Sequence, residues 1–261
     1  VVSGISTNYH DQGEGPPVLL LHGSGPGVSA WANWGLAIPA WSKQFRVIAP
    51  DQIGFGFTDP PIDGKYTLQR WVNHVVSLLD HLQIERTNLV GNSFGAAVAL
   101  RVAIEHPQRV GRLVLMGPVG VSFPITAALD EVWGYLPSVE SMRRMLDLFA
   151  DDRGLVTDKL AELRYRASIR PGVQEAFSAM FPAPRQRWVD AMASSSDEIA
   201  GIAHETLIVH GRDDRVIPPA TSLRLLELIS ASQLHVFGRC GHWVQIEHAS
   251  AFNRLVAEFL S

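Results

Sequence analysis

The stretch Val90-Gly91-Asn92-Ser93-Phe94-Gly95-Ala96 reads as an apolar strand that runs into a serine held between two glycines and then into a helix. Its G-x-S-x-G pattern fits a strained strand-to-helix turn that projects a hydroxyl and crowds both neighbours, so that only small residues fit on either side. In an open parallel sheet, ligands bind outside the carboxyl ends of the strands, and Ser93 falls at such an end. The plainer alternative is a glycine-rich turn with an incidental serine. The rest of the chain decides between them.

Outward from this turn, short runs rich in Val, Ile and Leu recur at 18–21, 47–49, 88–90, 113–116, 206–209 and 234–236, several of them followed by Gly or Pro and then a helical pattern. That is the rhythm of βα units in a parallel sheet. Leu68, Trp71, Val72, Val75, Leu78, Leu79 and Leu82 have helical spacing, with Thr67 placed to cap them. The rhythm stops after Met116 and resumes at Thr206. The interval is rich in aromatic residues and carries amphipathic stretches such as Met142-Met145-Leu146-Phe149 and Leu160-Leu163-Ala167, broken by Pro137, Pro171, Pro182 and Pro184. The expected organisation is a core domain of residues 1–119 and 201–261 with a helical lid of residues 120–200 over the sheet's carboxyl edge.

A serine hydroxyl is a weak nucleophile until a base takes its proton, and that base is oriented by an acid. The base is expected after a late strand. His242 in the loop Gly238–Trp243 is the one among ten histidines with that setting. His10, His74, His81, His106 and His248 read as solvated or capping residues, and His210 as packing at a strand end. The acid is expected between serine and histidine in chain order. Asp214 is the first choice in the loop after 206–209, with Asp213 as its reserve. Oxyanion donors are expected from the N–H of Phe94 and, in the glycine-rich loop Leu21–Gly27, from that of Ser24. This loop lacks the G-K-[ST] of a P-loop and the spacing of a dinucleotide site.

Composition narrows the classes further. The 261 residues are 46% hydrophobic and 18% charged, which suits one large α/β unit with an insertion. A net charge of -4 and no Lys/Arg run speak against nucleic acid as a partner. No apolar stretch approaches the roughly 18 residues of a membrane span, and Val1-Val2-Ser3-Gly4 shows neither region of a secretory leader. The single cysteine, Cys240, excludes an intrachain disulfide and suits the cytoplasm. No cluster has metal-ligand spacing, so neither metal nor cofactor is expected.

The wording "HGSGPGVSAWANW", "GNSFG", "LMGPVGVSFPIT", "VWGY", "FPAPRQRW", "HGRDDRVIP" and "LHVFGRCGHW" resembles the meta-cleavage product hydrolases, above all the 2-hydroxymuconate semialdehyde hydrolases. The resemblance covers nearly the whole chain and includes the lid. It implies an α/β-hydrolase fold: a mostly parallel central sheet, helices on both faces and a helical lid inserted after strand 6. It further implies hydrolysis of the C5–C6 bond of a 2-hydroxy-6-oxohexa-2,4-dienoate, foremost 2-hydroxymuconate 6-semialdehyde, by Ser93, His242 and Asp214.

The acidic end of such a dienoate would meet Arg164, with Asn33, Asn92 and Trp243 beside it and Gly23 and Gly25 in the adjoining loop. Arginine suits a carboxylate because its planar fork pairs it bidentately. Phe149, Trp188, Val119, Val216 and Ile217 would line the pocket for the substituent at C6. Taken without the resemblance, Arg164 reads as a lid arginine paired to solvent or to Glu162, the asparagines as turn residues and the lid aromatics as core. One departure is Ala96, where the family's elbow commonly has a second glycine. A homodimer or higher homo-oligomer is also implied. The substituent on C6 stays open between hydrogen, alkyl and phenyl, and the competing classes are a carboxylesterase and a catalytically silent receptor.

Overall fold

In the computed structural model, which describes residues 1–261, seven strands form one sheet: β1 (Tyr9–Gln12), β2 (Pro17–Leu21), β3 (Arg46–Pro50), β4 (Thr87–Asn92), β5 (Val110–Met116), β6 (Thr206–Gly211) and β7 (Ser232–Phe237). Their order across the sheet is β1-β3-β2-β4-β5-β6-β7. Only β1 runs antiparallel, against β3. All six apolar runs lie within strands. The unforeseen strand is β1, whose sequence Tyr-His-Asp-Gln has no apolar run because it sits at an edge and is only half covered.

The central strands are apolar on both faces because both are buried. Leu19, Leu21, Ile48, Leu89, Leu113 and Leu115 belong to one core and Val18, Leu20, Val47, Val90, Val114 and Met116 to the other. The second core is covered by α1 (Ala30–Trp34), α2 (Ile38–Trp41) and the C-terminal helix, and the first by α3 (Leu68–His81) and α4 (Phe94–Glu105). Thr67 caps α3 by accepting the Arg70 N–H at 3.2 Å, and Trp71, Val72, Val75, Leu78 and Leu79 are buried, as their spacing predicts.

His74 departs from the solvated role expected of it. It is buried on α3, its Nε2 lies 2.9 Å from Thr7 Oγ1, and burial pushes its pKa down to about 4. The folded state therefore binds less proton than the unfolded one between pH 4 and 6.5, so stability falls as pH drops through that window. The loss expected from this group is on the order of 3 kcal/mol. His74→Gln should flatten the dependence of the urea midpoint on pH between 6.5 and 4; an unchanged slope would mean that His74 is protonated in the fold.

Six helices stand between β5 and β6: α5 (Ala127–Trp133), α6 (Val139–Phe149), α7 (Asp158–Ser168), α8 (Val173–Met180), α9 (Gln186–Met192) and α10 (Ser196–Ala200). The four prolines fall between these helices. On α6 the buried side chains are Met142, Met145, Leu146 and Phe149. On α7 the apolar stripe is only partly buried: Leu160 packs against the core, Leu163 is 63% exposed, and the fully buried residues are Ala161 and Ser168. From this helix Arg164 alone lines the site described below. The insertion leaves the sheet after Met116. Its strand is the fifth of the seven in chain order, not the sixth that the resemblance implies. Helices α11 (Ala220–Leu228), α12 (Val244–Glu247) and α13 (Ala249–Leu260) complete the chain, and no helix is long and apolar enough to cross a membrane.

Candidate active site

Ser93 stands between β4 and α4 with φ +54° and ψ −115°, a strained conformation for a residue with a side chain. Its N–H donates to Met116 O at 2.8 Å, and its carbonyl accepts from Ala96 at 3.0 Å and Val119 at 3.2 Å. These bonds anchor the turn from both sides. A Cβ at Gly91 would lie 2.6 Å from Ala96 Cα, and one at Gly95 would strike the Leu21 carbonyl and approach His22 O at 2.6 Å. Both glycines are therefore steric requirements, and Ala96 keeps its methyl in the first core without displacing the turn. Gly95→Ala should cost about 3 kcal/mol and lower the thermal midpoint by roughly 10 °C. A midpoint within a degree of the parent would show that the turn can widen.

Asp214 follows β6 and His242 follows β7, adjacent parallel strands whose carboxyl ends bring the two loops together. His242 Nδ1 lies 2.7 Å from Asp214 Oδ2, and Oδ1 accepts the N–H groups of Val216 at 2.8 Å and Ile217 at 3.0 Å. Burial opposes ionisation of Asp214, but the neighbouring His242 and the bond from His210 hold its carboxyl well below the usual range. Asp213, the reserve, instead pairs with Arg212 at the surface.

His210 does more than pack at a strand end. Its Nε2 lies 3.0 Å from Ile217 O and 3.2 Å from Asp214 Oδ2, while Nδ1 lies 2.6 Å from Ser222 Oγ. Two acceptors at Nε2 place the proton there, so His210 donates to the carboxylate. Ser93 Oγ and His242 Nε2 make no hydrogen bond in the protein, and both residues line one cavity. Gly117, at φ +50°, leaves room for the imidazole: a Cβ there would lie 3.1 Å from His242 Cε1. Burial pushes the Cys240 thiol up, which removes it as a competing nucleophile.

The loop after β2 brings Gly23, Ser24 and Gly25 to the same cavity. His22 fixes it, since its Nε2 accepts the Gln52 N–H at 2.9 Å and its Nδ1 therefore donates to Gly23 O at 2.8 Å. Asn33 accepts weakly from the Gly23 N–H at 3.4 Å, and its Nδ2 is buried without a partner. Asn92 Nδ2 donates to Met116 O at 3.3 Å. Arg164 reaches the cavity from α7. One of its terminal nitrogens donates to Ala32 O at 2.8 Å, but its Nε is buried and unpartnered, no carboxylate pairs with it, and burial works against its charge. Glu162 pairs with Arg166 instead.

Trp243, Phe149 and Val216 also line the cavity. Three residues expected there do not. Val119 is buried beneath the turn, Ile217 is occupied with Asp214 and His210, and Trp188 packs half-buried against the core away from the cavity, with Nε1 bonded to Pro182 O at 2.7 Å and Arg187 over its ring. The apolar wall comes instead from Leu129 and Val132 on α5 and Met142, Met145 and Leu146 on α6. The Phe94 ring is not part of the cavity wall and packs edge-on against Trp71 in the core.

The family pattern of the alpha/beta hydrolase fold matches residues 16–249. A 2-hydroxymuconate semialdehyde hydrolase from a Pseudomonas species is 60% identical over the whole chain, which covers 92% of that protein. The chain belongs to the meta-cleavage product hydrolases of the α/β-hydrolase fold. Among other meta-cleavage product hydrolases, a 2-hydroxy-6-oxo-2,4-heptadienoate hydrolase from Pseudomonas putida is 63% identical over the whole chain, covering 95% of that protein. A serine-to-alanine variant of the enzyme from Pseudomonas fluorescens, solved with acetates, superposes with a TM-score of 0.98 at 60% identity over 99% of this chain and 95% of that one. The match to this meta-cleavage product hydrolase spans the insertion as well as the sheet.

Proposed function

We propose that the protein hydrolyses the C5–C6 bond of a 2-hydroxy-6-oxohexa-2,4-dienoate carrying hydrogen or a methyl group at C6. The observation that carries this reading is Arg164: a buried guanidinium without a carboxylate partner, on the same cavity as Ser93 and His242. A buried charge of this kind needs an anion, and the substrate's carboxylate supplies one. A neutral ester does not. The two Pseudomonas relatives at 60% and 63% identity over the whole chain are named for dienoates with hydrogen and methyl at C6, and that choice comes to this chain from them.

In this reading Arg164 and Asn33 hold the carboxylate end, with Asn92 and Trp243 beside it. The dienol is first ketonised: C5 gains a proton, and C2 becomes a carbonyl conjugated to C3–C4. His242, held by Asp214, then draws the proton from Ser93 or from a water, and the oxygen so activated attacks C6. The N–H groups of Ser24 and Phe94 stabilise the resulting oxyanion. When C5–C6 breaks, its electron pair runs into the C2 carbonyl and the resulting dienolate takes the proton held by His242, which yields a five-carbon dienol acid; C6 leaves as formate or acetate, at once where water attacked and after a water hydrolyses the acyl-enzyme where Ser93 did. Residues 120–200 act as the lid over a core of 1–119 and 201–261. A homo-oligomer in the cytoplasm belongs to the same reading and rests on the family alone.

The ring-fission products of catechol, 3-methylcatechol and 2,3-dihydroxybiphenyl, assayed in parallel, test the substrate. The expected ranking of kcat/KM puts the first two at least tenfold above the phenyl compound, a spread within what a hydrophobic pocket discriminates. A preference for the phenyl compound would overturn the assignment at C6.

A further inference from the structure

We propose that Trp133, on the insertion, is a positioning residue of the oxyanion site, so that seating of the insertion and alignment of the Ser24 and Phe94 donors are one event. This rests on the reading of those two N–H groups as oxyanion donors. Trp133 ends α5 and is buried. Its Nε1–H donates to Ser24 Oγ at 2.9 Å. No other hydrogen bond engages that hydroxyl. An indole N–H can only donate, so Ser24 Oγ accepts and its own hydrogen points away from the ring. The bond thereby fixes both the hydroxyl rotor and the loop whose backbone carries the donor.

The same ring reaches the other donor by packing. Trp133 stacks on Phe181 with centroids 4.4 Å apart and planes 5° from parallel, and Phe181 meets Phe94 edge-on at 6.3 Å. Phe94 is held on its far side by Trp71 at 4.7 Å. An aromatic chain thus runs from the insertion to the residue directly after the nucleophile. A buried indole N–H needs some partner. A partner in the oxyanion loop, 109 residues away in sequence, is what couples two parts of the fold.

Trp133→Phe removes the N–H and keeps an aromatic ring, though a smaller one, against Phe181. It should lower kcat roughly tenfold, less than loss of a whole oxyanion donor, with KM changed less than about twofold. The double-variant cycle with Ser24→Ala decides the route: Trp133→Phe should add nothing once the hydroxyl is gone. Phe181→Leu, which breaks the stack and spares the N–H, should also reduce kcat rather than raise KM. Additive losses in the double variant, a parental kcat in Trp133→Phe, or a rise in KM alone would overturn the proposal. The cycle is run on a dienoate and on p-nitrophenyl acetate, since an oxyanion site serves both. Failure of the dienoate reading alone leaves the ester cycle to decide the role of Trp133.

Discussion

Ser93→Ala should reduce cleavage of the dienoate by at least about 10³-fold while the protein still folds and still binds the substrate. The hydroxyl makes no hydrogen bond in the protein, so removing it breaks nothing in the turn, whose positive φ at residue 93 is held by the backbone bonds to Met116 and Val119 and by the space that Gly91 and Gly95 leave. Arg164, Asn33 and Trp243 are untouched in the variant. The yellow dienolate should therefore bind and shift its absorbance without being consumed. The same loss is expected whether Ser93 forms an acyl-enzyme or activates water, because both routes need the hydroxyl beside His242. Turnover at the parental rate would refute the assignment of Ser93, and loss of binding together with activity would point to a collapsed turn.

Arg164→Ala should lower kcat/KM for the acidic dienoate by about 10²-fold, mostly through KM, and leave hydrolysis of p-nitrophenyl acetate within about threefold of the parent. A charge-assisted bidentate bond in a closed site accounts for that size. The variant should fold, because the guanidinium has no ion pair to lose and burial already disfavours its charge. Its one bond, to Ala32 O, is peripheral to Ser93 and His242. An equal loss on both substrates would make Arg164 a support for α7 rather than an anchor for a carboxylate.

The parts legible in the sequence are those set by local steric demands or by burial on two faces. Strands β2 to β6 announce themselves because a sheet covered on both sides needs continuous apolar runs, whereas at the half-covered edges β7 shows only the short run Leu234–Val236 and β1 is spelled in polar residues. The turn at Ser93 is legible because nothing larger than glycine clears the backbone on either side. Asp214 and Asp213 are indistinguishable by spacing, and only the fold sends one inward to His242 and the other out to Arg212. His210 reads as a packed histidine because its bond to Asp214 forms through the curl of the loop after β6. The cavity wall is least legible. Trp188 and Leu163 look like lining residues on their helices, yet Trp188 packs against the core, Leu163 faces solvent, and Leu129, Val132 and the α6 methionines form the wall instead. Helix orientation is a product of packing across the whole insertion, which no short stretch encodes.

The most direct test of carbon–carbon hydrolysis is to mix the purified protein with the ring-fission product of catechol and follow the yellow dienolate absorbance while measuring formate. The expected result is rapid decay with one equivalent of formate for each dienoate consumed. No decay and no formate, from folded protein that still splits p-nitrophenyl acetate, would contradict it and leave an esterase.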